Sequence, residues 1–532
     1  MFLNNTFSHN QAHENMTNYI GGDGGAMDIV YMNNYVTIEG CNFDSNLAKG
    51  AGGAIKLNSQ NQNSRIFNSN FTNNTLDVDS LVGGGAVHMN YGNVNVTVEN
   101  CLFDSNVANT AAGIYVSRVN KNVQISKCLF KENNARSYHG GGLCIRYLNR
   151  NVNVNQCQFY RNRAHGGSGG GAILILDYNT DVLIQNSILD GNSFNSHTYG
   201  GGAISIYQTN TKVTLLNLTI QNSISSSDGG GLFVYGNNSY VTVAGCQIAN
   251  NYAQNGGGLY LDQLNDNFVI VSSSVYKQTQ VVQTTHPYQS LPPQNNVPQI
   301  ILNQTITIED ADELIIVFDS QTELSGNDPF SIWTNSSMEE LLFMNNQYDP
   351  WPGIARPPLR FRLNSIFIEL SGPTFNFKMK GEFYGFKMTV YPSGVRYMNN
   401  ADSMISYNNA DREGGGGKIY FLNDNSIVIA TIFRENTAHD GGATYIQSVN
   451  GGLMIARCMF MNNKAHSGGG LLLSSSNYGV GLFDSIFMGN TADQTGGGMY
   501  VVTGNGEGLY VIDNHVNVSG VSFTNNSAFS GE

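Results

Sequence analysis

Four histidines stand close to glycine runs: His139, His165, His439 and His466. An imidazole beside a glycine loop is a group that proton transfer or metal binding can use. Three of them, His165, His439 and His466, directly follow the alanine of a recurring phrase F-x-x-N-x-A. A catalytic group need occur only once, so their recurrence points to a turn device. The carboxylates Asp44, Asp104 and Asp190 fall inside the same recurring loop. Cleavage of a sugar polymer needs paired acids, with Arg or Lys beside them when the sugar is itself acidic. Along the sequence the acids are scattered, with no basic motif next to them. Among the seven cysteines there is no CxxC and no Cys/His metal spacing. Six (Cys41, Cys101, Cys128, Cys157, Cys246 and Cys458) lie two residues before the head of the phrase. Ser187 and Ser485 take that place elsewhere. In-register parallel strands give poor disulfide geometry, so mostly free, buried thiols are expected. Cys144 is out of step with the others.

The elements carrying these residues follow from the repeat. The head stands at Phe7, Phe43, Phe71, Phe103, Phe130, Phe159, Leu189, Ile220 and Ile248. It returns at Ile405, Phe433, Phe460, Phe487 and Phe523. Most heads are followed by glycines ending in a small or apolar residue, as at Gly171-Ala172. A fixed period of this size is the mark of a solenoid. Within one period, short Ile/Leu/Val runs are bounded by Asn, Gly, Ser and Asp, which is strand chemistry. No sustained 3.6-residue pattern supports helical repeats, and the period is too short for a four-stranded propeller blade. The reading is an all-β chain: a parallel β-helix of about 14 coils, roughly 65 Å long at the usual strand spacing. Equivalent residues of successive coils should form ladders. Phe43, Phe71, Phe103, Phe130, Phe159, Phe433, Phe460 and Phe487 should stack inside. Asn46, Asn74, Asn106, Asn133, Asn162, Asn436, Asn463 and Asn490 should bind one another at a bend.

Between about residues 279 and 394 the period is lost. Pro287, Pro292, Pro293 and Pro298 mark an exit, and alternating strands with turn signals follow. These read as an antiparallel β-sandwich. The domains expected are a first solenoid part over 1–278, a linker and inserted sandwich over 279–394, and a second solenoid part over 395–532. The insert should project from the rod between Tyr276 and Ile405.

Charged residues are only 12% of the chain, and the net charge is −13. No basic patch or Lys/Arg run is evident in the sequence, which argues against nucleic acid. No apolar stretch is long enough to span a membrane. The chain opens within a strand-like segment, MFLNNTFSHNQA, and stops at FTNNSAFSGE; both solenoid ends read as uncapped, as in a piece of a longer chain. N-x-S/T acceptors for N-glycans occur at Asn4, Asn15, Asn70, Asn73, Asn95, Asn217, Asn237, Asn303, Asn335, Asn517 and Asn525. They favour an extracellular or cell-surface location.

Two resemblances sharpen these readings. The frame IVFDSQTELSGNDPFSIWTN, then WPG, then YGFKMTVYP resembles a CUB-like domain over about 90 residues. That resemblance implies a calcium site, for which Asp319, Glu323 and Asp328 are the nearest candidates. The GGAI phrases at 52–55, 170–173 and 201–204, together with the F-x-x-N phrases, resemble the repeats of chlamydial polymorphic outer-membrane proteins. That implies a right-handed β-helix acting in adhesion. No autotransporter barrel is visible, so the bacterial transport route is not implied. The function expected is a structural or adhesive extracellular rod, a glycosylated subunit of a surface fibre or appendage, partnered by other copies. It is not expected to be an enzyme. The alternative is a carbohydrate-binding or pectate-lyase-like carbohydrate-active β-helix.

Overall fold

A computed structural model describes residues 1–13, 22–77, 83–284, 298–319, 322–324, 328–345, 351, 358–371, 385–394, 397, 401–474, 477, 480–502, 516–519 and 521–529. Each coil is built from four short strands. One period runs Thr180–Gln185, Ile188–Asp190, Ser193–Phe194 and Ile204–Tyr207. Stacking these gives two parallel sheets of 14 strands, a third of 10 continued by a separate three-stranded piece, and a fourth of 13. We number the sheets in that order around the coil. The chain is thus an all-β parallel solenoid.

Alternation decides which side chains enter. In the first sheet Val154, Ile184, Leu215 and Val243 are paired across strands and fully or almost fully buried. In the second sheet the rings of Phe43, Phe71, Phe103, Phe130 and Phe159 stack with centroids 4.6–4.9 Å apart. That is the separation of the strands themselves, so the backbone dictates the stack. Leu189, Ile220, Ile248 and Ile405 continue the row in register. Phe433, Phe460 and Phe487 resume it at 4.9 and 4.4 Å.

The corners between sheets are closed by asparagine. Between the second and third sheets, Asn133 Nδ2 donates to Asn162 Oδ1 at 2.9 Å and to the Phe103 carbonyl at 2.9 Å. The same pattern joins Asn46, Asn74 and Asn106 below and Asn436, Asn463 and Asn490 above. A residue with positive φ precedes each ladder member, as Glu132 (53°) and Arg161 (51°) do. A second buried ladder closes the corner between the fourth and first sheets: Asn61, Asn93, Asn120, Asn149, Asn179, Asn210, Asn238 and Asn265. It continues through Asn423, Asn450 and Asn477. This ladder was not anticipated from the sequence, where asparagine is too common for the row to stand out.

Glycine is required at the third corner. A Cβ on Gly171 would lie 2.3 Å from the Gly202 carbonyl oxygen of the next coil. The glycine loops there fold over the outer face of the fourth sheet. Cys144, on that face, is fully buried and packs with Tyr115, Leu174 and Leu176. All seven cysteines are buried free thiols. In the ladder slot, Cys128 Sγ donates to the Ser126 carbonyl at 3.2 Å.

After Val269–Val271 the chain leaves the coil through a six-residue helix, Ser273–Gln278, and re-enters at Ser403–Ser406. In between lie two four-stranded antiparallel sheets. One joins Gln280–Gln283, Lys387–Ser393, Glu313–Phe318 and Leu359–Phe361. The other joins Ile300–Thr307, Ser365–Ser371, Phe330–Trp333 and Leu341–Met344. The insert lies against the outer face of the first sheet. Ala244, Val269, Val271, Ile427, Ile429, Met454, Ala456 and Phe483 share one hydrophobic core with Leu314, Ile316, Phe318 and Met388. The outward residues of that sheet change from polar (Gln124, Asn153) to apolar (Val269, Ile427) where the insert docks. Arg360 of the insert pairs with Glu313 at 2.8 Å and with Asp484 of the solenoid, while Arg457 lies 3.8 Å from Glu313 and 3.6 Å from Asp484.

Candidate functional site

The histidines do not converge. His439 and His466 face each other on neighbouring coils, ring centroids 4.7 Å apart, and His439 Nδ1 lies 3.2 Å from Asp440. His139 Nδ1 accepts from the Ser168 backbone N–H at 3.0 Å, and burial lowers its pKa to about 4. His165 holds the loop by its backbone, donating to the Ala135 carbonyl at 3.1 Å. His88 was not singled out from the sequence. It is 2% exposed on the outer face of the fourth sheet, both ring nitrogens lack hydrogen-bond partners, and burial lowers its pKa to about 3. It stacks 5.0 Å from Tyr115 as an apolar core residue does. Asp44 accepts from Thr72 at 2.6 Å, Asp104 pairs with Lys131 at 3.2 Å, and Asp190 accepts from Asn222 at 2.8 Å. All three bind neighbouring coils.

The proposed calcium ligands do not gather. Asp319 is buried and lies 3.7 Å from Lys387, Glu323 is exposed, and Asp328 is buried. Among the described residues no three His, Cys, Asp or Glu side chains form a metal-holding group. A carboxylate already facing an ammonium is a poor cation ligand, which counts against Asp319 as a calcium ligand.

Carboxylates do converge elsewhere, which corrects the reading of scattered acids. The strand Leu259–Asp262 pairs in register with Gly417–Tyr420 across the insert. Asp228, Asp262, Glu413 and Lys418 therefore meet on the outer face of the fourth sheet. Lys418 pairs with Glu413 and lies over Tyr260 (5.2 Å) and Tyr420 (4.9 Å). Burial raises the Asp262 pKa to about 6 against the opposing pull of Lys418, and Asp228 raises it further. Asp228, also raised by burial, accepts from Asn255 at 2.8 Å and Ser227 at 3.1 Å. Asp262 Oδ1 has no partner. Beside them Tyr207 and Tyr235 stack at 4.7 Å, with Tyr199 5.6 Å from Tyr235.

Basic residues are likewise grouped, correcting the absence of a basic patch. Between Asp104 and Asp177 the sequence holds one acid, Glu132, and nine Lys or Arg. Arg118, Lys121, Arg146 and Arg150 lie at the corner of the fourth and first sheets. Lys127, Lys131, Arg136, Arg161 and Arg163 lie around the second and third. Lys131, Arg161 and Arg163 of this group line two adjoining clefts of about 630 and 340 Å³ that share Glu132 and Arg161. Lys131 and Arg161 there face Asp104, Glu132 and Asp190, so those clefts are close to charge-balanced.

Of the glycan acceptors, Asn4, Asn70, Asn73, Asn95, Asn217, Asn237, Asn303 and Asn525 are exposed and Asn335 is half-buried. Asn517 lies in the strand Val516–Ser519, beside Gly481. Asn15 falls outside the described residues. No helix among the described residues is long and apolar enough to cross a membrane.

No protein-family model matches the chain, and no curated protein matches it significantly. The CUB-like and polymorphic-outer-membrane-protein resemblances therefore rest on their motifs alone. Among solved structures, the chain is similar to the tailspike protein of Acinetobacter baumannii phage AM24, with 11% identity over 70% of this chain and 78% of that one, at a TM-score of 0.18. It is also similar to a mutant tailspike protein of E. coli bacteriophage HK620, with 10% identity over 68% and 75% of the two chains, at a TM-score of 0.17.

Proposed function

We propose that the chain is a stiff rod of an extracellular surface protein, structural or adhesive in role, that carries the docked insert as a lateral display module. The observation that supports this most is continuity of the ladders through the insertion point. Asn251 Nδ2 donates to Asn408 Oδ1 at 3.0 Å, and Ile248 pairs in register with Ile405. The two solenoid parts thus stack as one body, and the interior is committed to packing. Exposed acceptor asparagines on several coils suit a glycosylated surface. Negative-stain microscopy of material from the native source, with glycan mass mapping, tests the reading. Rods or filaments bearing N-glycans support it. Compact particles without glycans overturn it.

A second reading, a carbohydrate-active protein, is favoured by the Asp228–Asp262–Lys418 group. An acid with its pKa raised toward neutrality is what proton donation to a leaving oxygen requires. Exposure decides the order of the two readings. Asp262 is 3% and Asp228 6% exposed, so a glycosidic oxygen reaches neither without displacing the glycine loop. Reducing-sugar release from a polysaccharide panel, abolished by Asp262→Asn, would reverse the order.

A further inference from the structure

The corner between the fourth and first sheets presents cations and tyrosines together. Lys121 and Arg150 are register partners on adjacent strands, and Arg118 is the register partner of Tyr91. The Arg118 guanidinium lies 5.8 Å from the centre of the Tyr147 ring, and Tyr178 meets Tyr147 edge-on at 6.1 Å. Tyr91, Tyr147 and Tyr178 are 46%, 41% and 51% exposed. Lys127, Lys131 and Arg146 are tied to Glu99, Asp104 and Asp177 of neighbouring coils. Arg118, Lys121 and Arg150 make no ion pair among the described residues. They are free to meet an outside anion, and a chain of net charge −13 gives no general reason for them to be grouped.

We propose that this ridge binds a linear acidic polysaccharide. Arginine forks and the lysine ammonium suit carboxylate or sulfate groups. Tyrosine supplies rigid amphipathic surface for sugar rings at little entropic cost. The buried ladder Asn93–Asn120–Asn149–Asn179 holds the corner directly beneath, so the ridge is ordered before binding. Its width selects the ligand. The cations occupy two coils, about 10 Å of rod. Asp177 and Asp181 border them on the next coil. The screening length at physiological salt is about 8 Å. A flat anionic membrane or a nucleic-acid duplex laid over the ridge would overlie that acidic coil as well, whereas a single thin chain need not. The proposal does not depend on assembly of the rod into fibres.

The test is calorimetric titration of the full chain with a heparin oligosaccharide, a polygalacturonate oligomer and neutral dextran. A single-stranded oligonucleotide and anionic phosphatidylserine vesicles serve as competing polyanions. Saturable, salt-sensitive binding of at least one acidic glycan is expected, and none of dextran. Heparin alone would identify sulfate as the group read; binding of both would identify carboxylate as sufficient. The triple variant Arg118→Ala, Lys121→Ala, Arg150→Ala should lose about thirtyfold in affinity, and Tyr147→Ala several-fold. A control triple, Lys277→Ala, Arg412→Ala, Lys464→Ala, makes the same charge change elsewhere and should lose less than about twofold. Equal losses in the two triples, absence of acidic-glycan binding, or tighter binding of the oligonucleotide or vesicles would overturn the proposal.

Discussion

Replacing Asn133 by alanine isolates what an asparagine ladder contributes. Asn133 is fully buried. Its Oδ1 accepts from the Asn106 backbone N–H at 3.2 Å and from Asn106 Nδ2 at 2.9 Å. Its Nδ2 donates to the Phe103 carbonyl and to Asn162 Oδ1, both at 2.9 Å. Truncation removes four side-chain hydrogen bonds and leaves two donors on Asn106 and the Phe103 carbonyl without these partners. Each orphaned buried group costs about 1–3 kcal/mol. Local relaxation recovers part, so a total of about 3–6 kcal/mol is expected. In a solenoid each coil leans on its neighbours, so the loss should appear as local opening before global unfolding. Hydrogen exchange read by mass spectrometry over residues 101–108 and 128–135 should accelerate by about 10²–10⁴. The outward Asn155→Ala is the control. It deletes only an acceptor for Asn186 Nδ2 at 3.0 Å and should stay within about 0.5 kcal/mol. If both variants exchange alike, the ladders are a by-product of stacking and do not hold the corners.

Three further outcomes follow from the same geometry. Glu313→Gln leaves Arg360 and Arg457 facing only Asp484 in a largely buried setting; it should weaken insert docking by about 3 kcal/mol, read as faster limited proteolysis within 279–394. Asp262 holds its proton more tightly folded than unfolded, so its contribution to stability is lost as pH rises from about 4 through its folded value of about 6; Asp262→Asn should raise the melting temperature relative to the parent at pH 7 and close the gap at pH 4. Native alkylation should leave all seven cysteines unmodified, because they are buried and burial pushes Cys144, Cys246 and Cys458 to about 12; labelling of Cys144 without unfolding would show that the glycine loop over the fourth sheet opens.

What the sequence discloses depends on whether a feature repeats with the coil. The Phe43–Phe159 row, the Asn46–Asn162 row and the cysteine slot are legible because each recurs at a fixed place beside an unusual neighbour. The Asn61–Asn265 row recurs as faithfully, but its members are embedded in asparagine-rich turns such as NSQNQN and YGNVN. The acid–lysine group was hidden differently. Asp262 and Lys418 are 156 residues apart yet on adjacent strands, because the insert separates them in sequence and not in space. The basic ridge was spread by the period, since side chains one coil apart in space are about thirty apart in the chain. Docking of the insert was signalled by the all-apolar runs VIV at 269–271 and IVI at 427–429, where neighbouring coils alternate.

The bond between Asn251 and Asn408 also sets the order in which the protein assembles. Elsewhere the ladder joins residues about 28 apart, as from Asn46 to Asn74; here it joins residues 157 apart. Closing the longer loop costs about 1.5 kcal/mol more in chain entropy, a penalty that falls when the insert folds first and draws its ends together. Coils 1–271 and 403–529 should therefore propagate as two separate zippers, meeting only after the intervening sheets have formed. On a ribosome, the second zipper would wait on a small antiparallel domain acting as its nucleus, and the slowest step of folding would be the joining of two finished halves.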